Sequence, residues 1–379
     1  MTYPNSSTSS LSDPSEVHLL YVLLDSNLPT GGFVSSSGLE SFAKHGFLST
    51  IPPFYDTEAA SDLSDEKRSN HVSTSKRSIS EGVVDFARAE VENYACTTGG
   101  FVSDSWMIVN DALPSASTSS WQTAESGGGG GGGGRQNSQP EDEDDLVSRI
   151  VNDVIALDRY NEATLLSHVA RRSSKAQGVA MLTLYTRGLS EPELSGLNED
   201  GDNDHGSSEG GDDLYRDRMR KRREMAKRIV DGYKRSIRKG DSPGHLAVCW
   251  GVITACLGLS LDRSIHLHLF LHARSLLSSA VRLNLIGPYA SSQLLLHPFK
   301  RIIEDQTLKV ISMNTSEHYN IKDRRHVHNN NDNNPNETAE DQFWTWADDA
   351  EGEGPYTTWP LGEILTARHD LQHSRIFNS

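Results

Sequence analysis

Apolar residues recur at three- and four-residue steps through "SEGVVDFARAEVENYA", "LVSRIVNDVIALDRY" and "EATLLSHVARRSSKAQGVAMLTLY", the spacing that lines one face of an α-helix. "HLAVCWGVITACLGL" is instead apolar on most faces. That pattern predicts a central helix buried on several sides, with Ala247, Gly251, Ala255 and Gly258 permitting close approach by its neighbours. A further helix is expected over "LDRSIHLHLFLHARSLLSSAVRL", starting after Ser260 and ending near Asn284.

Capping boxes mark where several helices should begin. "DPSE" puts Asp13 at the N-cap, Pro14 at the first helical position and Glu16 at the third, just before the apolar run "VHLLYVLL". "SGLE" repeats the pattern with Ser37 and Glu40, and "SISE" with Ser78 and Glu81.

Alternating β-branched runs bounded by hairpin turns are missing from this pattern, so the expected fold is all-α. It is a single helical bundle of roughly eight to ten helices, a domain over 13–379 behind a disordered N-terminus at 1–12. Four long disordered insertions, at about 51–77, 113–145, 190–213 and 313–340, interrupt it. The second holds an eight-glycine run and the fourth "HNNNDNNPNE", compositions that bury too little apolar surface to offset ordering entropy.

Composition agrees. Only 35% of the 379 residues are hydrophobic, and the formal net charge is −16, low and acidic for a globular chain. The acidic excess sits in clusters such as "EDEDD", read as solvated loops. A net negative chain argues against nonspecific nucleic-acid binding. The basic run "RDRMRKRREMAKR" at 216–228 opposes this, either as the outer face of a helix or as a contact for an acidic partner. Three cysteines without a C-x-x-C pair indicate neither a disulfide framework nor a zinc knuckle. The N-terminus lacks a basic leader region and its apolar run is too short to span a bilayer, so a soluble cytoplasmic protein is expected.

The least ordinary stretch is "LLDSNLPTGGFVSSSGLESF". It lacks the lysine of a phosphate-binding loop and the G-x-S-x-G spacing of a nucleophile turn. It reads as a helix-to-helix corner, with Pro29 stopping one helix, Gly31 and Gly32 turning the backbone, and Ser37 capping the next with Glu40. Phe33 either packs under that turn or stands out as an aromatic anchor for a partner.

Other candidates carry less chemistry. His268 and His272 in "HLHLFLH" share a helix face at the spacing that can offer two imidazoles to one metal, but no third ligand is near them in sequence, and partly exposed helix histidines are the default. Asp25 closes the first helix and Glu40 belongs to a cap, so no acid–base pair emerges and no catalytic residue is assigned. The tail "EILTARHDLQHSRIFNS" carries apolar anchors among charges, and could dock on the protein's own body or on a partner.

Five segments in order resemble one family. "LLDSNLPTGGFVSSSGLESF" is similar to the N-terminal signature of the urease accessory protein UreF family, in its fungal or plant form. "RRSSKAQGVAML", "GHLAVCWGVITACLGLSL", "LLSSAVRLNLIGPYASSQLLL" and "RHDLQHSRIFNS" resemble the segments that follow it. The resemblance implies an all-α, dimer-forming, non-enzymatic chaperone with no tightly bound cofactor. Such a protein binds a UreD/UreH-type accessory protein and with it recruits the GTPase UreG, the complex delivering nickel to apo-urease. The family's partner-facing parts fall on Gly31, Gly32, Phe33, Arg282, Arg375 and Phe377. Many bacterial members have tyrosine in place of Phe33 and histidine in place of Ser35. The rival expectation is direct nickel handling through His268 and His272.

Overall fold

The structure is a computed structural model that describes residues 14–25, 35–48, 78–114, 143–190, 211–312 and 355–377. Among the described residues there are eleven α-helices and no strand, so the all-α expectation holds, with one helix more than foreseen. They are α1 (Pro14–Leu23), α2 (Leu39–Lys44), α3 (Ile79–Asn110), α4 (Glu143–Thr164), α5 (His168–Leu184) and α6 (Gly211–Lys239). Then come α7 (Leu246–Cys256), α8 (Leu261–Arg282), α9 (Pro288–Leu296), α10 (Pro298–Ser312) and α11 (Pro360–Ala367).

The long α3 and the short apolar α7 form the centre. α3 starts with the predicted capping box intact: the Glu81 N–H donates to Ser78 Oγ at 3.2 Å, and the Ser78 N–H to Glu81 Oε2 at 2.9 Å. In α7 every residue from Ala247 to Ala255 is buried, as its lack of a polar face requires. A Cβ on Gly251 would collide with the Val102 carbonyl and Ser105 of α3, so glycine sets how closely these two helices approach. Gly258 has a different duty. It lies at φ 80° with open space around it, and its N–H bonds the Ala255 carbonyl while the Leu259 N–H reaches Thr254, a left-handed helix stop that glycine adopts without strain.

Around this pair, α8 and α10 pack on α3, α5 packs on α7, and α4 runs against α6. Asp158 of α4 joins three of these elements. Fully buried, it accepts from Tyr233 Oη at 2.9 Å, Ser242 Oγ at 2.5 Å, the Gly244 N–H at 2.6 Å and the His245 N–H at 3.0 Å. A carboxylate with four donors, two of them backbone groups at the start of α7, is compensated for its desolvation.

Several boundaries differ from the sequence expectation. α4 begins at Glu143 and α6 at Gly211, inside segments read as insertions, and Leu113 is buried. "EDEDD" is therefore partly helical: Glu143, Asp144 and Asp145 form the first turn of α4, where negative charge suits the helix dipole. The basic run answers it, since Arg228 of α6 pairs with Glu143 at 3.2 Å and with Asp144. Arg222 from the same run is buried and donates to the carbonyls of Pro114 at 2.9 Å and Ala255 at 3.1 Å. "EATLLSHVARR" is not continuous either, because α4 stops at Thr164 and Ser167 caps α5 by accepting from the Ala170 N–H. The remaining parts of the four predicted insertions lie outside the described residues.

Candidate partner-binding surface

Of the opening stretch, Pro29, Gly31, Gly32 and Phe33 lie outside the described residues. Its last part does not form the predicted cap. Ser37 is at φ 47°, the N-cap of α2 is Gly38 at φ 84°, and no side chain caps this helix. Glu40 is instead turned toward the other end of the chain. It is buried, and accepts the N–H groups of Ile376 at 2.8 Å and Phe377 at 3.2 Å while pairing with Lys44 at 2.9 Å. Burial pushes the Glu40 carboxyl up, but the Lys44 ammonium and the two tail N–H groups outweigh this and hold it below its usual range. Glu16 also makes long-range bonds. It accepts from the backbone and hydroxyl of Ser260, the residue before α8, and pairs with Arg263 at 2.7 Å; its predicted box partner Asp13 lies outside the described residues.

The tail thus docks on the protein's own body. α11 starts from Pro360, and its entry is held by Asn93 of α3, whose Oδ1 accepts from Thr357 Oγ1 and the Thr358 N–H at 2.9 Å. Beyond α11 a single 3-10 turn, Arg368–Leu371, leads into the end of the chain. His369 is buried there, its Nε2 3.0 Å from the Phe377 carbonyl oxygen. Asp370 accepts a forked pair from Arg172 of α5 at 2.9 and 3.0 Å, and Arg375 donates to it at 2.7 Å. Arg172 pulls the Asp370 carboxyl down to about 2.

This latch sorts the tail residues into two sets. Phe377 is only 4% exposed in the docked tail, so its side chain is packed against the protein's own body. Leu371 and Ile376 are 72% and 65% exposed, and Arg375 and the Ile364 and Leu361 side chains of α11 are exposed as well. Composition marks Ile364, Leu365, Leu371, Ile376 and Phe377 alike as apolar anchors without saying which ones point outward, because the irregular backbone that ends the tail has no period. Arg282 is exposed in the last turn of α8, where a cation complements the helix dipole.

The paired histidines share a face of α8 as their spacing predicts, but they are not exposed ligands. His268 and His272 both stack on Tyr94 of α3, with ring centroids 5.0 and 3.7 Å away. Burial holds both imidazoles neutral, pushed down to about 3. No group of three or more histidine, cysteine or carboxylate side chains converges as a metal site among the described residues. The two rings are part of the packing between α3 and α8.

No helix among the described residues is long and apolar enough to cross a membrane. The family model for UreF matches residues 136–298, from just before α4 to the end of α9. Urease accessory protein 6 of Cryptococcus neoformans var. grubii is 52% identical over 364 residues, covering 96% of this chain and 97% of that relative. A protein of Schizosaccharomyces pombe described as an uncharacterized urease accessory protein UreF-like is 25% identical over 224 residues, 59% of this chain and 68% of its own length. Identity of this order along nearly the whole length of both chains, on an all-α body with a docked C-terminal tail, means that the chain belongs to the UreF family of urease accessory proteins.

Proposed function

We propose that this protein is a non-enzymatic scaffold for urease maturation. It bridges a UreD/UreH-type protein and the GTPase UreG so that nickel can be inserted into apo-urease. It acts as a homodimer within that complex, in the cytoplasm, and has no tightly bound cofactor of its own; nickel is the cargo of the assembly. The observation that carries this reading is the tail latch: Glu40 binds the backbone of Ile376 and Phe377, so the Leu371 and Ile376 side chains stand in solvent on a fixed support. Exposed apolar residues beside an arginine, held by a preorganised backbone, suit a protein interface.

Within this reading Arg375, Leu371 and Ile376 contact the UreD/UreH-type protein, and Gly31, Gly32 and Phe33 supply a second contact. Arg282, exposed at the end of α8, faces the GTPase and supports nucleotide hydrolysis as a cation or by ordering its switch loops. The family membership and the near-complete match to a urease accessory protein support the pathway.

Disruption of the gene, followed by urease assay with and without excess nickel, tests the whole reading. Urease activity is expected to collapse, and normal activity under both conditions would overturn it. For Arg282 the test is narrower: unchanged GTP hydrolysis by the complex assembled with Arg282→Ala removes its role.

A further inference from the structure

Beside the Tyr94 stack lies a cavity of about 110 Å³ between α3, α4, α5, α8 and α11, more than one water requires. Its wall contains two carboxylates, Glu90 and Glu363, and no lysine or arginine. Two carboxylates alone would not define a site. Asn161 adds an independent sign: it is 1% exposed, lines the cavity, and neither its amide oxygen nor its amide nitrogen has a hydrogen-bond partner. His272 adds another, because its Nε2 lies 3.5 Å from Glu90 Oε1 yet makes no hydrogen bond. Buried polar atoms are rarely left unmatched, and here several face one space.

The lining selects the guest. The two acidic side chains can release protons to balance an entering cation, whereas the lining holds no lysine or arginine to balance an anion. Glu90, Glu363 and His272 line the space but do not converge as a divalent metal site, and no other such group does among the described residues. The unmatched acceptors, Asn161 Oδ1 and His272 Nε2, call for N–H or O–H donors. We propose that this cavity binds a small monovalent cation of the ammonium or primary-amine class, with Glu90 and Glu363 supplying charge and Asn161 Oδ1 and His272 Nε2 accepting its N–H groups. A co-bound water meets the amide nitrogen of Asn161.

The titration of the pocket is consistent with this. Without a guest, burial pushes the Glu90 carboxyl up to about 8. Burial first, and then the Glu90 charge, also raises Glu363. The other titratable groups facing the space are Tyr94 on α3 and His272 on α8; burial keeps both neutral near pH 7, as it does His268 behind Tyr94. An entering cation therefore meets a protonated Glu90 and displaces its proton.

The inference goes beyond the maturation reading and does not depend on it. The test is calorimetric titration of the full chain at pH 7 with ammonium chloride, methylammonium chloride and potassium chloride. Ionic strength is held constant with tetramethylammonium chloride, in two buffers of different ionisation enthalpy. Saturable binding of ammonium or methylammonium is expected, tighter than potassium and accompanied by proton release to the buffer. Asn161→Leu should weaken it about tenfold or more, as for the loss of one charge-assisted hydrogen bond, and Glu90→Gln should abolish the proton release. Potassium binding as tight as ammonium, or no saturable heat from the wild-type chain, would overturn the proposal whatever the variants do.

Discussion

The carboxylate of Glu40 accepts the backbone N–H of Phe377 at 3.2 Å, so a residue of the short α2 fixes the end of the chain. A buried acceptor with two backbone donors is costly to remove, about 1–3 kcal/mol where the donors stay buried. Glu40→Ala should therefore release the tail locally and leave the bundle folded. Amide exchange at Ile376 and Phe377 is the measurement: protection in the wild type should fall to solvent rates in the variant. Protection that survives would mean that Phe377 packing, not Glu40, holds the tail.

Asp370 gives the latch a pH dependence of known sign. Its carboxyl falls from an ordinary 3.8 to about 2 in the folded protein, chiefly through the Arg172 fork. A carboxyl lowered by folding contributes stability above its unfolded value and loses it as pH falls toward the folded one. The Asp370 contribution to tail docking should be flat from pH 5 upward and weaken between about pH 4 and 2. Arg172→Ala should move that weakening to higher pH. Because Arg172 is half exposed, it should change stability near neutrality by no more than about 1 kcal/mol. Protease cleavage of the tail as a function of pH reads both effects.

Leu371 and Ile376 are exposed while Phe377 is buried, which separates binding from folding. The Leu371→Ala, Ile376→Ala double variant should melt within about 0.5 kcal/mol of wild type. It should lose more than about 1 kcal/mol of affinity for the UreD/UreH-type partner, as hot-spot residues do. Phe377→Ala should lose affinity only together with tail protection. Paired melting and pull-down measurements distinguish these outcomes.

What the sequence made legible follows from periodicity. α7 and α8 could be read almost to the residue because their apolar patterns are long and their ends carry turn signals, and the Ser78–Glu81 box formed as written. The box predicted at Ser37 shows the limit. "SGLE" has the same spacing, yet Glu40 serves Phe377, because a distant donor in a buried setting outcompetes a solvated local one. Long-range pairing also hid Asn93, which holds the entry to α11, and Arg172, which holds Asp370. Neither stands in a local motif. His268 and His272 were placed on one face correctly, but spacing cannot reveal that Tyr94 fills that face.

Glu90 and the histidines stacked on Tyr94 should shape the pH–stability curve in opposite directions. The Glu90 carboxyl is raised from 4.5 to about 8 on folding, so the folded state holds a proton that the unfolded chain has released. The associated stability is complete below pH 4.5 and is lost as pH rises toward 8, with a ceiling on the order of 1.4 kcal/mol per pH unit. His268 and His272 are lowered from 6.5 to about 3, so their contribution is lost as pH falls below 6.5. Together they place the cluster's maximum near pH 6.5. Glu90→Gln, neutral at every pH, should match wild type near pH 4.5, become progressively more stable than it up to pH 8, and remove the decline on the alkaline side. Urea midpoints at half-unit pH steps test this, and a difference between the two proteins that does not grow with pH would show that Glu90 is ionised in the folded state.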